Sequence, residues 1–167
     1  MNQMIFINGT MGVGKSTVCS ILYRQLPRCV FLDGDWCWMM HPFTVTEETK
    51  EKVLDNISHL LGNFLQCSAY ETILFCWVMD RQEILDALLS RLHLEHCDLR
   101  VFTLTAQPDA LAARVESDIA AGIRAPGDTA RSLERCPLYD NLATEKIGTT
   151  HLTPEETAQE ILRKLKP

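Results

Sequence analysis

The sequence predicts an α/β architecture, a parallel β-sheet sandwiched between helices, and three observations carry that expectation. Short β-branched or aromatic runs alternate along the chain with longer segments of helical period. The third such run, "TILFCWV" (72–78), is almost wholly apolar, as a strand covered on both faces requires. A glycine-rich turn, "GTMGVGKS", separates the first run from the first helical segment, "STVCSILYRQL".

Taken in order, "MIFIN" (4–8) is the first strand and "CVFLD" (29–33) the second. A long helix follows over about 46–67, with Val53, Ile57, Leu60, Leu61, Phe64 and Leu65 on one face and Thr46 as N-cap. After the third strand, a helix from Arg81 to about His93 carries the stripe Ile84, Leu85, Leu88, Leu89 and Leu92. Asp80 and Glu83 have capping-box spacing at its start. "LRVFTLT" (99–105) is the fourth strand, and a helix from Pro108 places Leu111, Val115 and Ile119 inward. "KIGTT" (146–150) is a weak fifth strand. The last helix opens at "TPEE", where Thr153 caps, Pro154 takes the first helical position and Glu156 closes the box. A polar stretch at about 118–136 has Gly122, Pro126 and Gly127 as places for the backbone to hinge. No repeat or linker interrupts the pattern, so residues 1–167 read as one domain, long enough to bury a real core.

Composition narrows the function. A net charge of −6 argues against a nucleic-acid backbone as partner. The seven cysteines are odd in number and form no C-x-x-C pair, so neither a disulfide framework nor a zinc site is expected. Reduced thiols point to a cytoplasmic protein. The apolar run near the N-terminus is too short, and lacks the leading positive charge, for a signal peptide. The longest apolar run is far too short to span a membrane.

The chemistry is concentrated in "GTMGVGKST", comprising Gly9, Thr10, Met11, Gly12, Val13, Gly14, Lys15, Ser16 and Thr17. It matches G-x-x-x-x-G-K-[S/T], in which successive backbone N–H groups curl around a polyphosphate. Lys15 adds a point charge near the β- and γ-phosphates, the Ser16 hydroxyl can hold Mg²⁺, and the helix beginning there adds its dipole. Nucleoside-triphosphate binding, with ATP and Mg²⁺, is the expectation. A switch GTPase is excluded by the absence of N-K-x-D, and a transport ATPase by the short chain.

"FLDGDWCWMMHPF" (31–43) supplies the second half of a site. Ligands in parallel sheets sit at the carboxyl ends of the strands. Asp33 and Asp35, at the end of the second strand, therefore share a rim with the glycine-rich turn. The apolar third strand carries no acid for the metal, and Asp80 nearby reads as a helix cap. One of Asp33 and Asp35 is expected to serve Mg²⁺ through water, the other to accept a proton from a substrate hydroxyl. The assignment taken is Asp33 with Ser16 for the metal and Asp35 for catalysis, although the residues alone leave the reverse open. Trp36, Trp38, Met39 and Phe43 would form an apolar wall suited to a planar acceptor. His41 reads as a loop residue.

The cradle, "LDGD" and the later arginine-rich stretch resemble the small P-loop kinases of the nucleoside-monophosphate-kinase-like group. That group includes shikimate, gluconate and adenylylsulfate kinases, chloramphenicol phosphotransferase and the nucleotide kinases. The resemblance implies a three-layer αβα sandwich, a five-stranded parallel sheet of order 2-3-1-4-5, an acceptor region at about 33–65, and a lid at about 118–136 closing over ATP. It also implies that Arg114 packs against adenine, that "IGTTHLTPEE" holds the base through backbone contacts, and that Arg124 reaches the transferring phosphoryl group. Arg131 and Arg135, four residues apart, share a helical face and can address phosphate or acceptor. "WCWMMHPF" departs from the pattern, since a shikimate kinase would carry positive groups there.

The expected activity is thus phosphoryl transfer from ATP to a small molecule, with a nucleotide or nucleoside ahead of an antibiotic-like or sugar-acid acceptor, in a monomer or homodimer. A regulatory module that hydrolyses ATP without an acceptor is the alternative. A nucleic-acid end kinase fits the cradle but not the charge.

Overall fold

A computed structural model describes residues 2–166. Strand β1 (Asn2–Asn8) runs through the glycine-rich turn into helix α1 (Lys15–Tyr23), and β2 (Cys29–Asp33) ends in a short 3₁₀ turn at Gly34–Trp38. Helix α2 (Glu47–Gln66), β3 (Thr72–Cys76), α3 (Gln82–Leu89) and β4 (Cys97–Thr105) follow. The chain closes with α4 (Pro108–Ala120), α5 (Asp128–Arg135), a 3₁₀ turn at Cys136–Tyr139, β5 (Glu145–Gly148) and α6 (Pro154–Leu165).

All strands pair in parallel in the order β2-β3-β1-β4-β5, as the resemblance implies. Strand periodicity decides what each face buries. Ile5 and Ile7 of β1 face a core shared with Val18 and Leu22 of α1, Leu111 and Val115 of α4, and Ile161 of α6. Met4 and Phe6 face the opposite core, filled by Val53, Ile57 and Leu61 of α2 and by Leu85 and Leu88 of α3. Those four β1 side chains are fully buried, as expected of a central strand covered on both sides. Three layers result, and the loops at the carboxyl edge of the sheet are left to build a site.

The caps on the two amphipathic outer helices match the sequence. Thr46 accepts from the Thr49 N–H, and the Thr49 hydroxyl returns to the Thr46 N–H. Thr153 and Glu156 make the same reciprocal pair on α6. The cap expected of Asp80 does not form. Helix α3 starts at Gln82, with Arg81 in the cap position and no side-chain cap bond. It also ends at Leu89 rather than His93, closed by N–H bonds from Ser90, Arg91 and Leu92 to the turn before them.

Strand β3 is shorter than its apolar run, because its continuation is held by a side chain. The Trp77 N–H bonds the Ile7 carbonyl. Beyond it, Asn8 takes over, accepting from the Met79 N–H at 2.8 Å and donating to the Met79 carbonyl at 2.8 Å. This buried amide fixes residues 77–80 beside the glycine-rich turn. The polar stretch after α4 is also more ordered than its composition suggests, since half of it folds as α5.

Candidate active site

The glycine-rich turn begins where β1 runs out of strand partners. Gly12 has φ +82°, and a Cβ there would lie 2.3 Å from the Val115 side chain, so α4 can pack against the turn only if residue 12 has no side chain. Gly14 occupies the N-cap of α1 without a side-chain cap bond, leaving the first-turn N–H groups free to meet an anion. Lys15 folds back over the turn, its Nζ donating to the carbonyls of Gly9 at 2.8 Å and Thr10 at 3.0 Å. Burial holds its ammonium below the usual lysine range, against the opposing pull of neighbours that include Asp35 and Asp33.

Strand β3 lies between β1 and β2, yet the two halves of the predicted site touch. The Ser16 hydroxyl donates to Asp33 Oδ2 at 2.7 Å. Asp33 is itself buried, and its other oxygen accepts from the Asp35 N–H at 3.0 Å. That second bond winds the 3₁₀ turn that carries Asp35 to the cleft. The Asp35 carboxyl is raised above its ordinary value by burial against the cleft walls and by the adjacent Asp33, with Lys15 and Arg124 opposing. Gly34, between the two acids, serves close packing: a Cβ there would sit 2.5 Å from Cγ of Trp77.

These elements open on one cleft of about 1230 Å³. Thr10, Met11, Gly12, Gly14, Lys15, Ser16 and Thr17 line its floor. Asp35, Trp38, Arg124, Arg131 and Arg135 line it too, so most residues singled out in the sequence converge there. Gly9, Val13, Asp33 and Arg114 stand behind the lining. Arg114 donates to the carbonyl of Thr149 at 2.6 Å, its hydroxyl at 2.9 Å, and the Val13 carbonyl at 3.5 Å, tying the turn to the loop after β5. Trp36 is absent from the wall. It is 56% exposed and packs edge-on against Phe31 at 5.5 Å, because the 3₁₀ turn points it and Trp38 in different directions. Trp38 takes the cleft side, beside Phe43 at 5.8 Å.

Helix α5 closes the rim. Thr10 donates its hydroxyl to the Ser132 carbonyl at 3.1 Å, and the Ser132 hydroxyl donates to the Met11 carbonyl. Arg124 is paired with Asp118 at 2.9 Å and Arg131 with Asp128 at 3.2 Å. Arg135 reaches across to Asp80, 2.9 Å away. Asp80 is therefore a buried anchor for α5 rather than a cap for α3, since a carboxylate lifted out of water needs a cation. Tyr139, buried next to it, has its phenol pushed up by burial and by the Asp80 charge.

Several residues in the wall and directly behind it escaped the sequence reading. Trp77 and Tyr139 look like core aromatics, and Ser132 like a surface serine of a polar helix. Only Asp80 gave a signal, as the one acid following an otherwise apolar strand.

The donor set fits a nucleoside triphosphate with a divalent cation. An uncapped helix N-terminus, a lysine parked on backbone carbonyls and a hydroxyl–carboxylate pair of hard oxygens are present together. Among the described residues no three His, Cys, Asp or Glu side chains cluster to hold a metal by themselves. A magnesium ion here would draw most ligands from phosphate and water.

Comparison with known proteins agrees with this geometry. A family model described as an AAA domain matches residues 5–130. No curated protein matches the sequence. The tunicamycin resistance protein of Deinococcus radiodurans superimposes with TM-score 0.72 at 16% identity, over 99% of this chain and 96% of its own. A gluconokinase from Sinorhizobium meliloti 1021 gives 0.68 at 19%, over 96% and 90%. A sugar kinase from Janibacter sp. HTCC2649 gives 0.67 at 15%, over 98% and 94%. These identities speak for the shared fold, and the family match covers most of the chain. The chain therefore belongs to the AAA domain family and carries the fold of the small P-loop kinases of the nucleoside-monophosphate-kinase-like group.

Proposed function

We propose that the protein is an ATP- and Mg²⁺-dependent phosphotransferase acting on a hydroxyl group of a small molecule. The observation that carries this reading is the junction of the two halves: Ser16 bonded to Asp33, and Asp33 in turn holding the Asp35 backbone at the mouth of the same cleft. A carboxylate facing the cleft beyond the phosphate cradle is placed to take the proton of an acceptor hydroxyl.

In this reading the turn N–H groups and Lys15 hold the β- and γ-phosphates, and Ser16, backed by Asp33, would hold a magnesium ion, which would supply charge neutralisation on the phosphate. Asp35 accepts the proton of the acceptor hydroxyl. The acceptor oxygen forms its bond to the γ-phosphorus as the bond from that phosphorus to the β,γ-bridging oxygen breaks, and ADP leaves. Arg124 and Arg131, which line the cleft in pairs with Asp118 and Asp128, are the cations placed to meet phosphoryl oxygens.

The test is acceptor-dependent ADP release. Lys15→Ala should abolish it, and Asp35→Asn should lower kcat by about 10²-fold or more while ATP affinity is retained. Wild-type turnover in Asp35→Asn would remove the catalytic assignment.

A further inference from the structure

The acceptor end of the cleft is built from the segments that follow β2 and β3, with Arg135 docked on it. Its charges are already matched. Lys50 pairs with Glu47 at 2.8 Å, and both Arg135 and Arg81 are directed at Asp80, at 2.9 Å and 3.8 Å. Glu83 and Asp35 face the same space and add negative charge. Three cations thus meet four carboxylates on this wall, which leaves it with a formal negative charge toward an incoming acceptor.

The remaining surface is aromatic and aliphatic. Trp38, Phe43, Val45, Leu54, Trp77 and Ile84 line it. Trp77 is 8% exposed, and its indole N–H is a buried donor with no hydrogen-bond partner in the protein. Buried donors are almost always satisfied, so an orphan on a ligand cleft marks a place where a ligand supplies the acceptor atom.

Resting on the kinase reading above, we infer that the phosphoryl acceptor is an uncharged hydroxyl compound with an apolar or planar body and a hydrogen-bond-accepting atom for Trp77, and that anionic acceptors are disfavoured. A nucleoside fits this description and a nucleoside monophosphate does not. An aryl glycoside fits and a sugar acid does not. The physical reason is desolvation. An anion would leave water for an apolar wall on which carboxylates outnumber cations.

Matched pairs differing only in charge test it, with ADP release as readout: uridine against uridine monophosphate, and phenyl β-D-glucoside against phenyl β-D-glucuronide. The uncharged member of at least one pair should have a kcat/KM roughly tenfold or more above its anionic partner, the scale of one unpaired charge–charge contact. A preference for an anionic member, or no difference within either pair (including no release with any member), overturns the inference in a preparation that binds ATP. A preparation that does not bind ATP overturns the kinase reading, and this inference with it. Trp77→Phe keeps an aromatic side chain and removes the donor. It should raise KM for the preferred acceptor about five- to tenfold, as loss of one buried hydrogen bond does, and leave KM for ATP unchanged. Equal changes in both KM values would reduce Trp77 to a packing residue and remove its assigned role.

Discussion

The Asp35 carboxyl, raised above its ordinary value by burial and by Asp33, has consequences for both activity and stability. If it is the general base, turnover falls as pH drops through that raised value, so the acid limb of kcat should lie above the ordinary carboxylate pKa of about 4. The stability effect has the opposite sense. A carboxyl whose folded-state pKa is raised contributes stability below its unfolded pKa and loses it as pH rises through the folded value. At neutral pH the wild-type protein therefore carries the cost of an ionised Asp35. Asp35→Asn should be the more stable protein at pH 7, with the difference vanishing below about pH 4 in parallel thermal melts. The sequence showed that two acids stand beside one another at the rim. Which of them is buried behind Ser16, and which faces the cleft, depends on a 3₁₀ turn closed by Asp33 itself.

At the scale of elements, α5 is the piece that composition under-describes. Its residues are polar and include Arg131 and Arg135 four apart, which suits a solvated helix as well as a lid. Tertiary contacts separate the two arginines. Arg135 neutralises a buried carboxylate on the opposite side of the cleft, whereas Arg131 pairs with Asp128 on its own helix. Arg135→Met should cost about 1–2 kcal/mol, less than a fully buried pair because the guanidinium is half exposed. It should also speed amide exchange across Asp128–Arg135. Arg131→Met should stay within about 0.5 kcal/mol of wild type. Equal losses in the two variants, measured by urea unfolding, would mean that Asp80 does not anchor the helix. The cap that spacing assigned to Asp80 fails for the same reason. A buried carboxylate gains more from a guanidinium than from one N–H at a helix end that water can reach.

For the whole molecule, the sheet separates two cores, and the aromatic contact of Phe6 with Phe75, 4.8 Å apart and edge-to-face, fills the α2–α3 side. Phe75→Ala should lower unfolding stability by about 3–5 kcal/mol, while Trp36→Ala on the rim should cost less than about 1 kcal/mol. Comparable losses would place Trp36 in the interior after all. The layered α/β plan, the strand sequence, the helix caps at Thr46 and Thr153 and the phosphate-cradling turn were determined by the chain itself. Each depends on residues adjacent in sequence or repeating at a fixed period, so the information is local. Only the tertiary structure decided that Asn8 pins the segment after β3, that Trp77 rather than Trp36 walls the cleft, and that Asp80 and Arg135 meet. Those contacts join residues separated by tens of positions, and their partners are selected by burial and charge, which no local pattern records.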